Sequence, residues 1–250
     1  MKTLSRACLG MLLAASAMST PAFAQEEEDS DGITITGSAT VVSDYRFRGI
    51  SQTDKHFAVQ AGFAIHHSSG FYASWWGSSI DDYVAAGGDA ENDLVVGYSH
   101  SFGGTTVDGG FLYYWYPGSG GANTDFAEPY FDVSHAFGPV TAKATVNYAP
   151  KQKALTVDGI HKEDNVYLAG DLAFAVPKTP ISLTGHLGHS WGPSYLTIGD
   201  EYTDWNVGAS FTHGPMTLGL VYVDTNKDLA SPSGRNISGS GVVASLGVAF

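Results

Sequence analysis

The chain has little cysteine and little positive charge. Its single cysteine is Cys8, and 12 Lys and Arg stand against 25 Asp and Glu, which gives a net charge of −13. A single cysteine excludes an internal disulfide. Nucleic-acid binding needs a basic surface, so this charge balance argues against a nucleic-acid partner. Charged residues of both signs together make up only 15% of the sequence.

Long apolar runs are also missing. The longest covers residues 7–18, which is shorter than the ~20 residues that a membrane-spanning helix needs. Two basic residues precede this run, and Ala-Phe-Ala at 22–24 matches the small-x-small pattern of a signal-peptidase site. We therefore expect residues 1–24 to be a cleaved signal peptide. Residues 25–32 (QEEEDSDG) are expected to form a solvated acidic leader.

Apolar alternation with period two is what the sequence has in quantity, and it recurs in twelve segments of about ten residues. We predict strands at 33–43, 56–66, 70–78, 93–102, 105–116, 127–137, 139–149, 164–176, 180–191, 203–213, 215–224 and 239–250. The connections alternate strictly between short and long. All the short turns then lie at one end of an antiparallel meander, and all the long loops lie at the other.

Aromatic residues are sorted between these two ends. A phenylalanine recurs every 35 to 39 residues near the end of each even-numbered strand, whereas the tryptophans fall near the long loops. Amphipathic rings favour the two lipid–water interfaces of a membrane. The predicted interface aromatics are Trp75, Trp76, Trp115, Trp191, Trp205, Phe102, Phe137, Phe174, Phe211 and Phe250.

The two faces of each predicted strand differ in a way that indicates what surrounds them. In 139–149 one face is apolar, and the other carries Thr141, Lys143, Thr145 and Asn147. A water-exposed face normally carries long charged side chains, but most polar faces here are small. Strands of this length cross a bilayer when tilted, and their sheet must close in hydrocarbon. Residues 33–250 are therefore predicted to form an all-β transmembrane up-and-down barrel of about twelve strands, with short periplasmic turns and long extracellular loops.

The segment VVSDYRFRGISQTDKHFAVQAGF (41–63) resembles the TorF family of proteobacterial porins. The family motif V-S-x-Y-x-F-R-G-x-S-Q is matched by Val42, Ser43, Tyr45, Phe47, Arg48, Gly49, Ser51 and Gln52. The resemblance implies an outer-membrane β-barrel and channel, with no catalytic residues to carry over. The last strand, ending in Phe250, resembles the signal that the barrel-assembly machinery recognises in outer-membrane proteins.

Two groups of charges are candidate sites. Arg46, Arg48 and Lys55 lie close together near the top of the first strand, with Asp44 and both arginines on one face. They either hold an anion at the lumen wall, contact lipopolysaccharide phosphate from outside, or pair across strands with a neighbouring aspartate to hold the loop down. The second group lies within strands and either forms a cation-favouring selectivity ring or a set of lumen salt bridges; its members are Asp108, Asp132, Lys143 and Asp171.

The histidines do not predict a metal site. Both His66-His67 and His186-x-x-His189 put their side chains on opposite faces of a strand, and no cofactor or metal is expected. The adjacent pairs Ser134-His135 and His189-Ser190 also diverge, which argues against serine–histidine catalysis. The acidic loop residues, Asp81, Asp82, Asp89, Glu91, Asp200 and Glu201, are expected to face outwards, with divalent cations bridging them to lipid phosphates.

The sequence thus favours a non-enzymatic channel in a Gram-negative outer membrane, for passive diffusion of small solutes or ions. Its expected partners are outer-membrane lipids, lipopolysaccharide, the barrel-assembly machinery and the transported solute. Two alternatives stay open. One is a plugged barrel with a structural or adhesive role, favoured by the large residues Tyr114 and Tyr116 near the rim. The other is a lipid-modifying enzyme.

Overall fold

A computed structural model describes residues 32–250 as a closed antiparallel barrel of twelve strands. In chain order the strands are β1 (Ile33–Val42), β2 (Arg46–Phe47), β3 (Ile50–Ser51), β4 (Ala58–His67), β5 (Phe71–Ser79), β6 (Ala90–Phe102), β7 (Thr105–Trp115), β8 (Phe126–Phe137), β9 (Val140–Gln152), β10 (Glu163–Ala175), β11 (Ile181–Trp191), β12 (Tyr202–His213), β13 (Met216–Thr225) and β14 (Gly241–Ala249). All but β2 and β3 form the barrel wall. The predicted fold class is confirmed, and each predicted strand end lies within three residues of the observed one.

The barrel closes where its first and last strands meet. β1 pairs with β4 on one side and with β14 on the other, and the β14 ladder runs from Ser38–Ala249 to Val42–Ser245. Phe250 and Gly37 then exchange two backbone hydrogen bonds, of 2.7 and 2.9 Å. Closure leaves no free sheet edge, as a strand-built membrane protein requires.

Six long loops share one end of the barrel, which we call the long-loop end; they cover residues 43–57, 80–89, 116–125, 153–162, 192–201 and 226–240. The five tight turns lie at the opposite end. The two helices, Lys153–Leu155 and Tyr195–Thr197, are single 3₁₀ turns within these loops. In the part of the chain from residue 32 onward, no helix is long and apolar enough to cross a membrane.

Side chains of each wall strand alternate between an outer apolar face, which is largely exposed, and an inner polar face, which is largely buried. Ile35 is 67% exposed, Val59 is 64% exposed and Leu220 is 59% exposed, all on the outside. Their inward-facing neighbours on the same strands include Thr34, which is buried. A surface this rich in aliphatic side chains matches the outward apolar band of a membrane barrel.

Glycines on the lumen face make room for tyrosine rings on the neighbouring strand. A Cβ added at Gly97 would lie 2.5 Å from Tyr72, and one added at Gly110 would lie 2.6 Å from Tyr130. Each glycine and its tyrosine lie side by side across a strand pair. The missing side chain therefore lets a large ring lie flat on the inner wall.

The adjacent pair Trp75 and Trp76 does not meet the expectation that both lie at the lipid interface. Trp75 packs against outward-facing Phe63, with ring centroids 5.8 Å apart. Trp76 packs inside against Tyr45, at 5.4 Å. Neighbouring residues of a strand point to opposite sides, so only one of the two can face outwards. The other predicted interface aromatics lie on the outer side of the wall or at its rim: Trp115, Trp191, Trp205, Phe102, Phe137, Phe174, Phe211 and Phe250.

The predicted signal peptide at 1–24 lies outside the described residues, as does the predicted acidic leader apart from Gly32.

Candidate functional site

The first long loop, residues 43–57, folds inward instead of continuing the wall. β1 ends at Val42, and the short hairpin of β2 and β3 follows inside the barrel. Tyr45 and Ser51 are 0% exposed, and Arg46 is 3% exposed. The alternation that placed both arginines on one face of the first strand is therefore not wall structure, because the wall strand ends before them. We call residues 43–57 the lumen loop.

The turn between β2 and β3 directs the lumen loop across the barrel. Arg48 and Gly49 both have positive φ, +46° and +80°, as a two-residue type I′ hairpin turn requires. Gly49 also lies close to the wall strands β13 and β12: an added Cβ would overlap Thr225 and lie 3.0 Å from Asp204. Glycine is needed here for both conformation and space.

Arg48 reaches the wall opposite to the strand that leads into its loop. Its guanidinium donates two hydrogen bonds to Glu128 on β8, at 2.7 and 2.8 Å, and one to Asn165 on β10, at 3.1 Å. It also lies 4.1 Å from the ring centroid of Tyr167. β8 and β10 flank β9, which is diametrically opposite β1 in the twelve-stranded ring. The lumen loop therefore spans the interior from wall to wall.

Arg46 and Lys55 have different surroundings. Arg46 forms a 2.6 Å ion pair with Asp44 and donates to the carbonyl oxygens of Gly49 and Ile237. Partial burial and the positive charge of Arg46 together lower the pKa of Lys55. The two arginines are thus each paired with a carboxylate inside the barrel, whereas Lys55 has no carboxylate within 4.0 Å in the described part of the chain.

A second polar layer contacts the lumen loop and lines the wall from β8 to β12. Lys143 lies 3.8 Å from both Asp132 and Asp171. His186 bridges Asp171 at 2.7 Å and Asp204 at 3.1 Å. Because both ring nitrogens face acceptor-only carboxylates, a protonated imidazole fits this arrangement. We call these five residues the lumen belt. Three of the predicted strand charges, Asp132, Lys143 and Asp171, meet here, in salt bridges.

The fourth predicted strand charge, Asp108, lies beside the belt, directly across the β7–β8 ladder from Asp132. It accepts a 2.7 Å hydrogen bond from Tyr72, whose hydroxyl also contacts that of Tyr130. The Asp108 carboxylate thus lies on the lumen face of β7 and is held by a tyrosine, whereas Asp132 lies 3.8 Å from Lys143.

Four carboxylates of the site were missed by sequence reasoning, namely Glu91, Asp93, Glu128 and Asp204. Glu91, expected in an outward-facing loop, is 2% exposed and accepts a 2.7 Å hydrogen bond from Tyr45. Asp93 is also 2% exposed, and neither of its oxygens has a donor among the described residues. β6 begins three residues earlier than predicted, so Glu91 belongs to the wall strand instead of a loop and faces inward, as Asp93 does. The alternation of Glu91, Asp93 and Val95 on one face was the available signal.

The remaining candidates do not assemble into a catalytic or metal centre in the described part of the chain. Ser134 faces the lumen while His135 bonds Thr105; His189 bonds Thr203 while Ser190 is buried against Asn165. One group, Asp54, His56 and Asp81, brings ligand atoms within 4.8 Å of one another. Two of the three residues already have side-chain partners: Asp54 accepts from Ser231 and Ser233, and Arg235 contacts His56 at 3.0 Å.

Two other long loops, residues 226–240 and residues 80–89, hold the lumen loop in place through hydrogen bonds. Ser51 donates its backbone N–H to Ile237, at 2.8 Å, and Asp54 accepts hydrogen bonds of 2.7 and 2.8 Å from Ser231 and Ser233. Tyr83 donates to the Ser51 carbonyl at 2.6 Å, and burial raises the pKa of Tyr83 to about 12. The phenol therefore stays protonated and keeps this bond at physiological pH.

These features define a closed twelve-stranded membrane-type barrel whose lumen is crossed by its first loop. The chain belongs to the family described as "Bacterial protein of unknown function (Gcw_chp)", whose model matches residues 26–249. No match was found among curated proteins.

Solved structures resemble the barrel in fold at low sequence identity. The NanC porin is similar with a TM-score of 0.60 and 12% identity, over 86% of this chain and 98% of that chain. A structure from a study of in-meso crystallization of membrane proteins has a TM-score of 0.54 and 10% identity, over 86% and 83% of the two chains. An outer-membrane channel from Pseudomonas putida F1 has a TM-score of 0.46 and 13% identity, over 87% and 94%.

Proposed function

We propose that this protein is an outer-membrane channel for small solutes and ions, narrowed by its lumen loop and selective for cations over anions. The closed barrel, its apolar outer face and its porin-like fold support a location in the outer membrane. The motif that resembles TorF-family porins lies within and around the lumen loop. That motif therefore encodes the element that narrows the channel.

The excess of carboxylates inside the barrel carries this proposal. Seven lie on the lumen face of the wall, namely Glu91, Asp93, Asp108, Glu128, Asp132, Asp171 and Asp204. Lys143 is the single lysine on that face in the described strands, and Arg46 and Arg48 of the lumen loop are each paired with an acid. Side chains of one sign around a pore attract the opposite ion and repel its counter-ion.

The lumen loop also favours a second candidate function, the plugged barrel. Its central residues are almost fully buried, and Tyr45 and Arg48 fill space between opposite walls. A loop held in this way permanently would close the channel to solutes. The two candidates differ in whether the native protein conducts.

Planar-bilayer recording under a salt gradient separates them. We expect the native barrel to give conductance steps. Their reversal potential should have the sign expected when cations cross more readily than anions. The double variant Arg48→Ala, Glu128→Gln removes the wall-to-wall ion pair without leaving a buried unpaired charge, and we expect it to conduct several-fold more. Lys178→Ala removes one positive charge in a tight turn and serves as the matched control.

Each outcome has one meaning. Silent native protein together with a conducting double variant would establish the plugged barrel. If neither the native protein nor the double variant conducted, the channel proposal would be rejected. A native channel that prefers anions would overturn the assignment of cations as the favoured ions.

The partners follow from the same proposal. The last strand pairs with β1 and ends on Phe250, an aromatic at the outer edge of the wall. We propose that this strand is the segment presented to the barrel-assembly machinery. Outer-membrane lipids contact the apolar face, and the site of one such contact is developed below.

A further inference from the structure

A groove lies outside the barrel, at the rim of the long-loop end. It has a volume of about 490 Å³, and its lining includes Tyr113, Asp125, Lys151, Lys153 and Lys162. Three of the basic side chains of the described chain thus meet at one surface feature. None of them is part of the lumen loop or the lumen belt.

Hydrogen bonds from one side chain position the segment that carries two of the three lysines. The side chain of Gln152 donates to the Ala127 carbonyl and accepts from the Ala127 N–H, both at 2.8 Å. This pair of hydrogen bonds attaches the end of β9 to the start of β8 and holds the flanking residues Lys151 and Lys153 at the groove. All three lysines are exposed, so their ammonium groups are free to meet a ligand from outside.

The three lysines outnumber the two acids at the groove, which are Asp125 in its lining and Glu163 beside Lys151. Lys151 lies 3.9 Å from Glu163, whereas Lys153 and Lys162 have no carboxylate within 4.0 Å in the described part of the chain. Asp125, the acid in the lining, already accepts from the Tyr116 N–H at 2.9 Å and from the Thr124 hydroxyl at 3.4 Å. Ammonium groups with few local acceptors are suited to a phosphate.

We propose that this groove binds the phosphate group of a lipid headgroup in the membrane leaflet at the long-loop end. The inference rests on the proposed insertion of the barrel in an outer membrane. Tyr113, Trp115 and Tyr148 project outward beside the groove, exposed by 38%, 45% and 42%. Outward aromatics mark the level where headgroups begin. The groove therefore opens toward lipid and not toward the lumen, which favours a lipid phosphate over a soluble one.

The test is lipid binding by the full barrel in detergent micelles, using diphosphoryl lipid A and its dephosphorylated form as probes. We expect the phosphorylated probe to bind and the dephosphorylated probe to bind far more weakly. Lysines near a charged lipid surface contribute ~1 kcal/mol each. The triple variant Lys151→Gln, Lys153→Gln, Lys162→Gln should therefore bind on the order of a hundredfold more weakly.

A matched pair of single variants tests the position of the charge. Lys153→Gln and Lys178→Gln remove the same charge from exposed lysines at opposite ends, and only Lys153→Gln should weaken binding, by roughly fivefold. Equal affinity for both probes, or equal loss from both variants, would overturn the proposal. Competition by inorganic phosphate at matched concentration would show a soluble-phosphate site and reject the lipid assignment.

Conductance of the triple variant keeps this proposal separate from the channel proposal. The lysines lie outside the lumen, so conductance should match that of the native protein. If the native protein bound the phosphorylated probe without conducting, the channel proposal would fail and the lipid site would stand. Conductance without selective lipid binding would give the reverse result.

Discussion

Gly49 decides whether the tip of the lumen loop can pack against the wall strands β12 and β13. Its φ of +80° and its contact with Thr225 leave no room for a side chain. Gly49→Ala combines backbone strain of about 1–3 kcal/mol with overpacking of similar size. We expect the loop to leave its seat, so that amides of residues 45–53 exchange with deuterium on the order of a hundredfold faster.

Gly121 provides the control for that substitution. It has a similar φ of +88°, but an added Cβ would have no heavy atom within 4 Å. Gly121→Ala therefore introduces the strain without the clash, and exchange in 45–53 should stay at the native rate. Equal exchange rates in both variants and the native protein would show that Gly49 does not secure the loop.

Some partners of single residues can be predicted from sequence and others cannot. An ion pair between an arginine and a neighbouring aspartate was among the interpretations, as a contact across strands; the observed partner of Arg46 is Asp44, two residues before it in the same segment. Arg48 and Glu128 are separated by 80 residues, and no periodicity links a loop arginine to a particular wall carboxylate. The contact depends on the diameter of the closed ring, which is a tertiary property.

The two loops that meet at Asp54 form a pH-sensitive contact. Burial opposes the charge of Asp54, but hydrogen bonds from Ser231 and Ser233 and the positive charge of Arg235 outweigh burial and lower its pKa. A carboxyl with a lowered pKa stabilises the contact above its ordinary pKa. That stabilisation is lost as the pH falls through the lowered value.

Hydrogen–deuterium exchange of the peptide 226–240 measures this contact. After correction for intrinsic rates, we expect protection at neutral pH and its loss in acid. Asp54→Asn should exchange roughly tenfold faster at neutral pH, because hydrogen bonds to a charged group contribute ~1.5 kcal/mol, and it should show a weaker acid response.

Asp158→Asn is the control, since it removes an exposed carboxylate in another loop and should leave this peptide unchanged. A native peptide whose protection is the same at neutral and acid pH would contradict the proposed role of the Asp54 charge.

The strands were predictable because one physical pattern dominates them. Apolar and small polar residues alternate with the pleat, and Gly-containing turns separate the segments. The same rule misled at residues 44–48, where alternation continues beyond the wall strand. Alternation reports two different environments on the two sides of a chain, and a loop inside a barrel also has two sides. Sequence alone could not distinguish wall from lumen there.

Ring closure depends on a short seam. The β1–β14 ladder is followed by the two backbone hydrogen bonds between Gly37 and Phe250, and a Cβ at Gly37 would lie 2.6 Å from the Phe250 ring. Deleting Phe250 removes both bonds, each with a net contribution of ~1 kcal/mol, as well as the ring contact. We expect a lower thermal unfolding midpoint for the folded barrel in detergent.

Two point variants separate the contribution of the Phe250 ring from that of the backbone hydrogen bonds. Phe250→Ala keeps the backbone bonds and should lower the midpoint less than the deletion does. Phe211→Ala removes an outward ring from a strand flanked on both sides by long ladders, so it leaves the seam intact. If deletion and Phe211→Ala were equally destabilising, the seam would have no special part in closure.

The number of strands, their antiparallel order and the outward direction of the apolar face could all be predicted from the sequence. An even number of strands in a meander, each with one apolar face, closes most simply into an up-and-down barrel. The filling of the interior did not follow. Small inward side chains suggested open space, yet Tyr45, Arg46 and Arg48 come from a loop and occupy much of it. The volume left in a lumen depends on elements outside the wall, which strand patterns do not describe.

The reach of Arg48 across the ring sets an order of events during biogenesis. The lumen loop is synthesised early, but Glu128, Asn165 and the Ile237 carbonyl, which hold its two arginines, belong to strands and loops made much later. Contacts this distant in sequence form late. The loop can make all these contacts only after β8, β10 and the loop 226–240 are in place, so its two arginines find their partners late in folding and stay unpaired until then.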